Sequence, residues 1–110
     1  MTGPMDTEGE QVVVRDNPDE RRYELLVGDS VVGEIQYRLR RSSDRIALRH
    51  TEISPSLEGQ GLGSRLVAGA LDDIRSRGLH VVPICPFVRA YLRRHPEYAD
   101  LVVAGRHALD

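Results

Sequence analysis

A chain of 110 residues, 40% hydrophobic and 29% charged, has the composition of a globular protein, and its formal net charge of −2 excludes a broad basic footprint for nucleic acid or an anionic membrane. No apolar run is long enough to span a bilayer, and the start carries no signal-peptide pattern. One cysteine cannot form an internal disulfide, which fits a reducing cytoplasm, and no Cys/His cluster has zinc spacing, so no metal is expected.

Residues 1–10 are small, polar and acidic without periodicity, and read as a loose tail ahead of one domain over 11–110. Gln11 to Arg15 is a β-branched run closed by Asp16-Asn17-Pro18, hence a strand and a turn. Tyr23 to Val27 and Val31 to Leu39 are further strands, joined by Gly28-Asp29 in a two-residue loop suited to a type II′ turn. Arg45 to Ile53 alternates, with Ile46, Leu48, His50 and Glu52 expected on one face and Ala47, Arg49, Thr51 and Ile53 on the other. The period then becomes helical: Leu62, Leu66, Val67, Ala70, Leu71 and Ile74 share one face, and Gly78 closes the helix. Leu79 to Cys85 reads as a buried strand, set parallel to 45–53 by a right-handed crossover. Pro83 cannot donate to a ladder and implies an edge, a bulge or a place where strands separate. Pro86 opens a helix over Phe87 to Arg94, Pro96 stops it, and Leu101-Val102-Val103 is either a last strand or a packed tail. The expected fold is mixed α/β: a twisted, mostly antiparallel sheet of about five strands with two flanking helices.

The sharpest motif is the loop between the fourth strand and the long helix, with Gly59, Gly61 and Gly63 at alternate positions. A helix N-terminus leaves N–H groups unpaired and favours an anion, and glycine lets a phosphate approach the backbone. A Walker loop is excluded because there is no lysine, and the dinucleotide fingerprint fails because Ser64 stands where its third glycine belongs. The loop is either a phosphate cradle or only a tight connection, and three glycines at a helix start are costly enough to favour the cradle.

At this point the chain resembles the GNAT superfamily of acyl-CoA N-acyltransferases, and within it a minimal subgroup of small single-domain proteins. Four motifs carry the resemblance in order: His50-Thr51-Glu52-Ile53-Ser54-Pro55, Glu58-Gly59-Gln60-Gly61-Leu62-Gly63, Pro83-Ile84-Cys85-Pro86-Phe87-Val88 and His95-Pro96-Glu97-Tyr98. The resemblance implies acetyl-CoA as co-substrate. It places the pyrophosphate on the backbone N–H groups of Gly59, Gln60, Gly61, Leu62, Gly63 and Ser64, and pairs the backbone of Ile53 with the pantetheine chain. Glu58 departs from the Arg or Gln usual in the larger family, which implies modest affinity for CoA. No helical pair separates the first two strands, which implies an open acceptor site for a small-molecule or protein amine, and a monomer is expected.

Thioester-to-amine transfer needs a base for the amine and a proton for the departing thiolate. The resemblance implies His50 as base and Cys85 as nucleophile or acid, with Tyr91 as a reserve acid on the last helix. Each has a structural alternative: His50 as a satisfied histidine beside Ile46 and Leu48, Cys85 as a small core residue, Tyr91 as core packing beside Phe87. The expected activity is acetyl-CoA-dependent N-acetyl transfer; the alternatives are a non-catalytic acyl-CoA-binding module or an interaction domain of the same fold.

Overall fold

In the computed structural model, which describes residues 11–40 and 42–103, four strands form a meander and a fifth joins through a helix. They are β1 (Val12–Asn17), β2 (Arg22–Val27), β3 (Ser30–Leu39), β4 (Arg45–Ile53) and β5 (His80–Pro83). Helix α1 (Leu62–Ser76) links β4 to β5, and α2 (Pro86–Arg94) follows β5. One sheet has the order β1-β2-β3-β4-β5, antiparallel except for the parallel β4–β5 pair. The expected tail, residues 1–10, lies outside the described residues.

Local chemistry explains most boundaries. Gly28 has φ 60° while Asp29 stays at negative φ, the type II′ pattern at the β2–β3 hairpin. At the end of α1, Gly78 takes φ 71°; its N–H reaches Arg75 O (3.1 Å) and that of Leu79 reaches Ile74 O (3.1 Å), a Schellman closure. β1 runs two residues past Arg15, because Asp16 and Asn17 find tertiary partners: Tyr37 and Arg77 for Asp16, Glu24 for Asn17. β5 is shorter than the apolar run around it, spanning His80–Pro83, and Ile84 turns out to solvent. Val102 makes a single parallel bridge to Val81 and Val103 N bonds Val81 O, so the C-terminal run caps the β5 edge with one bridge rather than a full strand.

The core lies between the sheet and α1. Tyr23, Leu25, Ile35, Ile46 and Leu48 meet Leu66, Val67, Ala70, Leu71 and Ile74, and α2 adds Val88 and Leu92. Close approach is enforced where Val14 sits within 2.6 Å of the point a Cβ on Gly69 would occupy. The C-terminal end of α1 is tied to the sheet by hydrogen bonds from Tyr23 to Asp73 (2.7 Å) and from Arg77 to Asp16 (2.9 Å), and Asp16 also accepts from Tyr37 across the sheet (2.6 Å). Burial and the carboxylate each donates to raise both phenols above their ordinary range, so both remain donors.

One irregularity governs the site. Tyr37 pairs with Leu48 but Gln36 pairs with His50, so Arg49 is an extra residue, a β-bulge in β4. The single-face reading of Ile46, Leu48, His50 and Glu52 is therefore corrected. Ile46 and Leu48 are buried beneath α1, while His50 and Glu52 lie exposed on the outer face and Thr51 and Ile53 turn inward.

Candidate active site

The site forms where β4 and β5 part. Their pairing ends at Leu48 and Pro83, and the N–H groups of Ile84 and Cys85 both bond Leu48 O (3.0 and 2.9 Å). This converging pair pins the chain as it leaves β5. Pro83 ends the ladder, as its missing N–H requires, and Pro86 takes the first turn of α2. Beyond Leu48, no described β5 residue pairs with β4, so the backbone from Arg49 to Ile53 has a free edge on that side.

Cys85 stands at the fork, 4% exposed, in the N-cap position of α2. Its Sγ lies 3.3 Å from Thr51 Oγ1. The bulge makes this meeting possible: were Arg49 paired as a regular strand residue, strict alternation from Leu48 would turn Thr51 to the outer face. The sequence reading had Thr51 only as a motif letter, and period-2 alternation pointed it the wrong way.

His50 is not brought to Cys85. It lies across from Gln36 on the outer face, half exposed, with Nε2 3.2 Å from Glu52 Oε2. Gln36 donates to Glu34, which also accepts from Arg22. His50 thus approaches the β4 edge from the face opposite Thr51 and Cys85.

The glycine loop closes the other end of the fork. Pro55–Leu57 form one 3₁₀ turn after β4, and Gly59 and Gly61 then take φ 86° and 78°. Both positions are strained for any L side chain, and a Cβ at either would meet nothing within 4 Å, so the backbone faces open space. Gly61 is the N-cap of α1 and offers no side chain to it; the first N–H of the helix to bond back is that of Arg65, to Gly61 O (3.2 Å). Leu62, Gly63 and Ser64 thus present N–H groups that helix geometry leaves without an intrahelical partner. Gly63 serves a different end: Phe87 Cζ lies 2.8 Å from where its Cβ would be, so Gly63 admits the ring of α2 against α1.

A cleft of about 390 Å³ runs along these elements, lined by Thr51, Ile53, Glu58, Gly61, Ser64 and Phe87 among others. A second hollow, about 540 Å³, opens toward β3 and shares Thr51, Ile53 and Glu58 with it. Glu58 places a carboxylate on the rim of both. His50, Cys85 and Tyr91 do not themselves line either hollow; Tyr91 is buried, stacked on His95 at 4.0 Å and near Tyr98 at 6.1 Å. Burial first, then the nearby Glu97 and Asp72 carboxylates, raises its phenol. The His95-Pro96-Glu97-Tyr98 motif is likewise structural here: His95 caps the stack, and Tyr98 donates to Asp72 of α1 (2.8 Å).

A mostly antiparallel sheet that forks between its fourth and fifth strands, beside a glycine-bearing helix N-terminus, defines the class: a small GCN5-related N-acetyltransferase fold. Residues 22–101 match the family described as GCN5-related N-acetyl-transferase, and the chain belongs to that family. It is also similar to a GCN5-like protein from Staphylococcus aureus, whose N-acetyltransferase role is itself an assignment. That solution structure matches with a TM-score of 0.63 and 26% identity, over 86% of this chain and 91% of the other.

Proposed function

We propose that the protein transfers an acetyl group from acetyl-CoA to an amine. The observation that carries this reading is the fork itself, with a free β4 edge, a thiol at its apex and a backbone cradle at its mouth. The cleft suits CoA in a specific way: Gly59 and Gly61 hold backbone against open space that any other residue would fill. The N–H groups from Gly59 to Ser64 would take the pyrophosphate, and the Ile53 backbone on the free edge would pair with the pantetheine amides. The thioester would then lie near Cys85.

In direct transfer, the amine attacks the thioester carbon from the outer face, where His50 takes its proton. The bond from carbon to the CoA sulfur breaks, and Cys85 gives its proton to that sulfur. The proton on His50 returns to Cys85 through solvent, and the balance is one amide and one free thiol of CoA. In the two-step route, Cys85 attacks first and its proton goes to the departing CoA sulfur; the amine then displaces the acetyl group from Cys85 with His50 as base, and the proton on His50 returns to the released Cys85 thiolate through solvent. Tyr91, stacked on His95, is given no step in either route. A small-molecule or protein amine fits an outer face that no helix covers, and we assign the protein a monomeric, cytoplasmic role in which the lone thiol stays reduced.

The test is a thermal melt with CoA, acetyl-CoA, NAD and ATP in the wild type and in Gly61→Glu, followed by acetylation assays. CoA at about 100 times its Kd adds roughly 2.7 kcal/mol, a rise of about ten degrees for a domain of this size. The rise is expected with CoA and acetyl-CoA alone and is lost in Gly61→Glu. Cys85→Ala and His50→Ala each keep that rise and lower kcat by about 100-fold or more. A CoA-dependent rise without turnover on any amine leaves the acyl-CoA-binding module; no rise with any CoA form leaves the interaction domain.

A further inference from the structure

We infer that Thr51 is the positioning residue for Cys85, its hydroxyl donating to Sγ and stabilising the thiolate. The inference rests on the reading of Cys85 given above. Thr51 Oγ1 lies 3.3 Å from Sγ, within the range for a bond to sulfur, and either atom is able to donate. Among the described residues, no other side-chain hydrogen bond reaches Cys85. Cys85 is 4% exposed, so solvent has little access to take the place of Thr51. Thr51 also lines both hollows, so its side chain stands between them and the buried sulfur, which lines neither.

The direction of the bond follows the state of the sulfur. With the thiol protonated, S–H donates to Oγ1. Once the proton leaves, only Oγ1–H is able to donate, and a bond to a charged acceptor is stronger than a neutral one. The same pair therefore switches direction and favours the thiolate in both routes, whether Cys85 attacks the thioester or gives its proton to the CoA sulfur. The charged groups on the surrounding elements are Glu58 at the cleft rim, Arg89 one turn along α2, and Arg49, His50 and Glu52 on β4. The side-chain hydrogen bond to the sulfur is that of Thr51. The bulge at Arg49 gains a purpose in this light, since it alone brings a hydroxyl rather than an imidazole to the thiol.

The experiment measures the pH dependence of Cys85 alkylation by iodoacetamide in the wild type, Thr51→Val and Thr51→Ser. The single cysteine makes the signal unambiguous. Valine keeps the branched shape and removes only the hydroxyl; serine restores it. In Thr51→Val the midpoint of the pH profile is expected to rise by about one pH unit, with a roughly tenfold slower reaction near neutrality. Thr51→Ser is expected to return most of the wild-type profile. A melt of each variant checks that it is folded. An unchanged midpoint in folded Thr51→Val overturns the inference, as does a shift that Thr51→Ser shares in full. The proposed role of Cys85 fails separately: if Cys85→Ala retains full acetyl transfer, the chemistry does not use the thiol, while the alkylation profiles still decide whether Thr51 sets its state.

Discussion

Glu58 puts a negative charge on the rim of the cleft where a pyrophosphate would lie, and no side-chain partner of opposite charge is bonded to it among the described residues. Its repulsion is long-ranged but solvent-screened, so neutralising it has a modest effect. Glu58→Gln is expected to tighten CoA binding about threefold at low ionic strength, and the gain shrinks as salt is added; titration calorimetry at two salt concentrations reads both. His50 stands half exposed beside Glu52 on the outer face of β4, whereas Cys85, past the end of β5, is buried against Thr51 on the inner side; in the proposed reaction the first would meet the amine and the second the thioester.

At the scale of elements, the contact between α1 and α2 turns on one missing methyl group. Gly63 leaves room for Phe87, whose ring lines the cleft and is 41% exposed. Gly63→Ala pushes a Cβ into that ring. The ring is free to swing outward, so the expected cost is at the low end of overpacking, about 1 kcal/mol, or a fall of several degrees in the melting midpoint. The displaced ring also reshapes the cleft, so the CoA-induced rise is expected to be smaller in Gly63→Ala. Phe87→Leu in the same background relieves the clash and recovers the unliganded midpoint. At the far end of α1, the ion pair from Arg77 to Asp16 of β1 ties the helix end to the sheet, with Arg77 steadied by Asp73 of its own helix.

Over the whole molecule, the outer face of the sheet is held by charge as well as by packing. Glu24 is 1% exposed and accepts from Arg15 (3.1 Å), Asn17 (2.9 Å) and Arg22 (2.8 Å), and Arg22 bridges on to Glu34 (2.8 Å). Burial acts to raise its carboxyl, but the donors from Asn17, Arg22 and Arg15 outweigh it and hold it below the ordinary value. A carboxylate depressed on folding stabilises the native state above its unfolded pKa, about 4.3, and that stability is lost as pH falls through the folded value. Glu24→Gln is expected to cost about 1–2 kcal/mol at pH 7, and the gap from the wild type closes as the pH drops below about 4. Melts taken across that range check it: a gap that stays constant down to pH 3 would falsify the charge-based account.

By itself the sequence determined the elements and the loop. Gly28 and Gly78 permit a positive φ and Pro86 lacks an N–H, so the hairpin, the helix end and the start of α2 were readable at those residues, while Pro83 left an edge, a bulge and a strand separation open. The positive φ of Gly59 and Gly61 agrees with a loop that needs glycine at those positions, whereas only contacts revealed that Gly63 answers to Phe87 rather than to a positive φ. The extension of β1 over Asp16 and Asn17 was not legible, because their partners lie on β2, β3 and α1. The faces of β4 were decided by tertiary structure alone. Nothing local to Arg49 marks it as a bulge; the extra residue is defined only by the register of β3 against β4. That register turns His50 outward and Thr51 in toward Cys85, two residues 34 positions apart in sequence. Alternation along a strand is a local rule and one inserted residue reverses it, so the side on which each candidate group stands had to come from the paired strand.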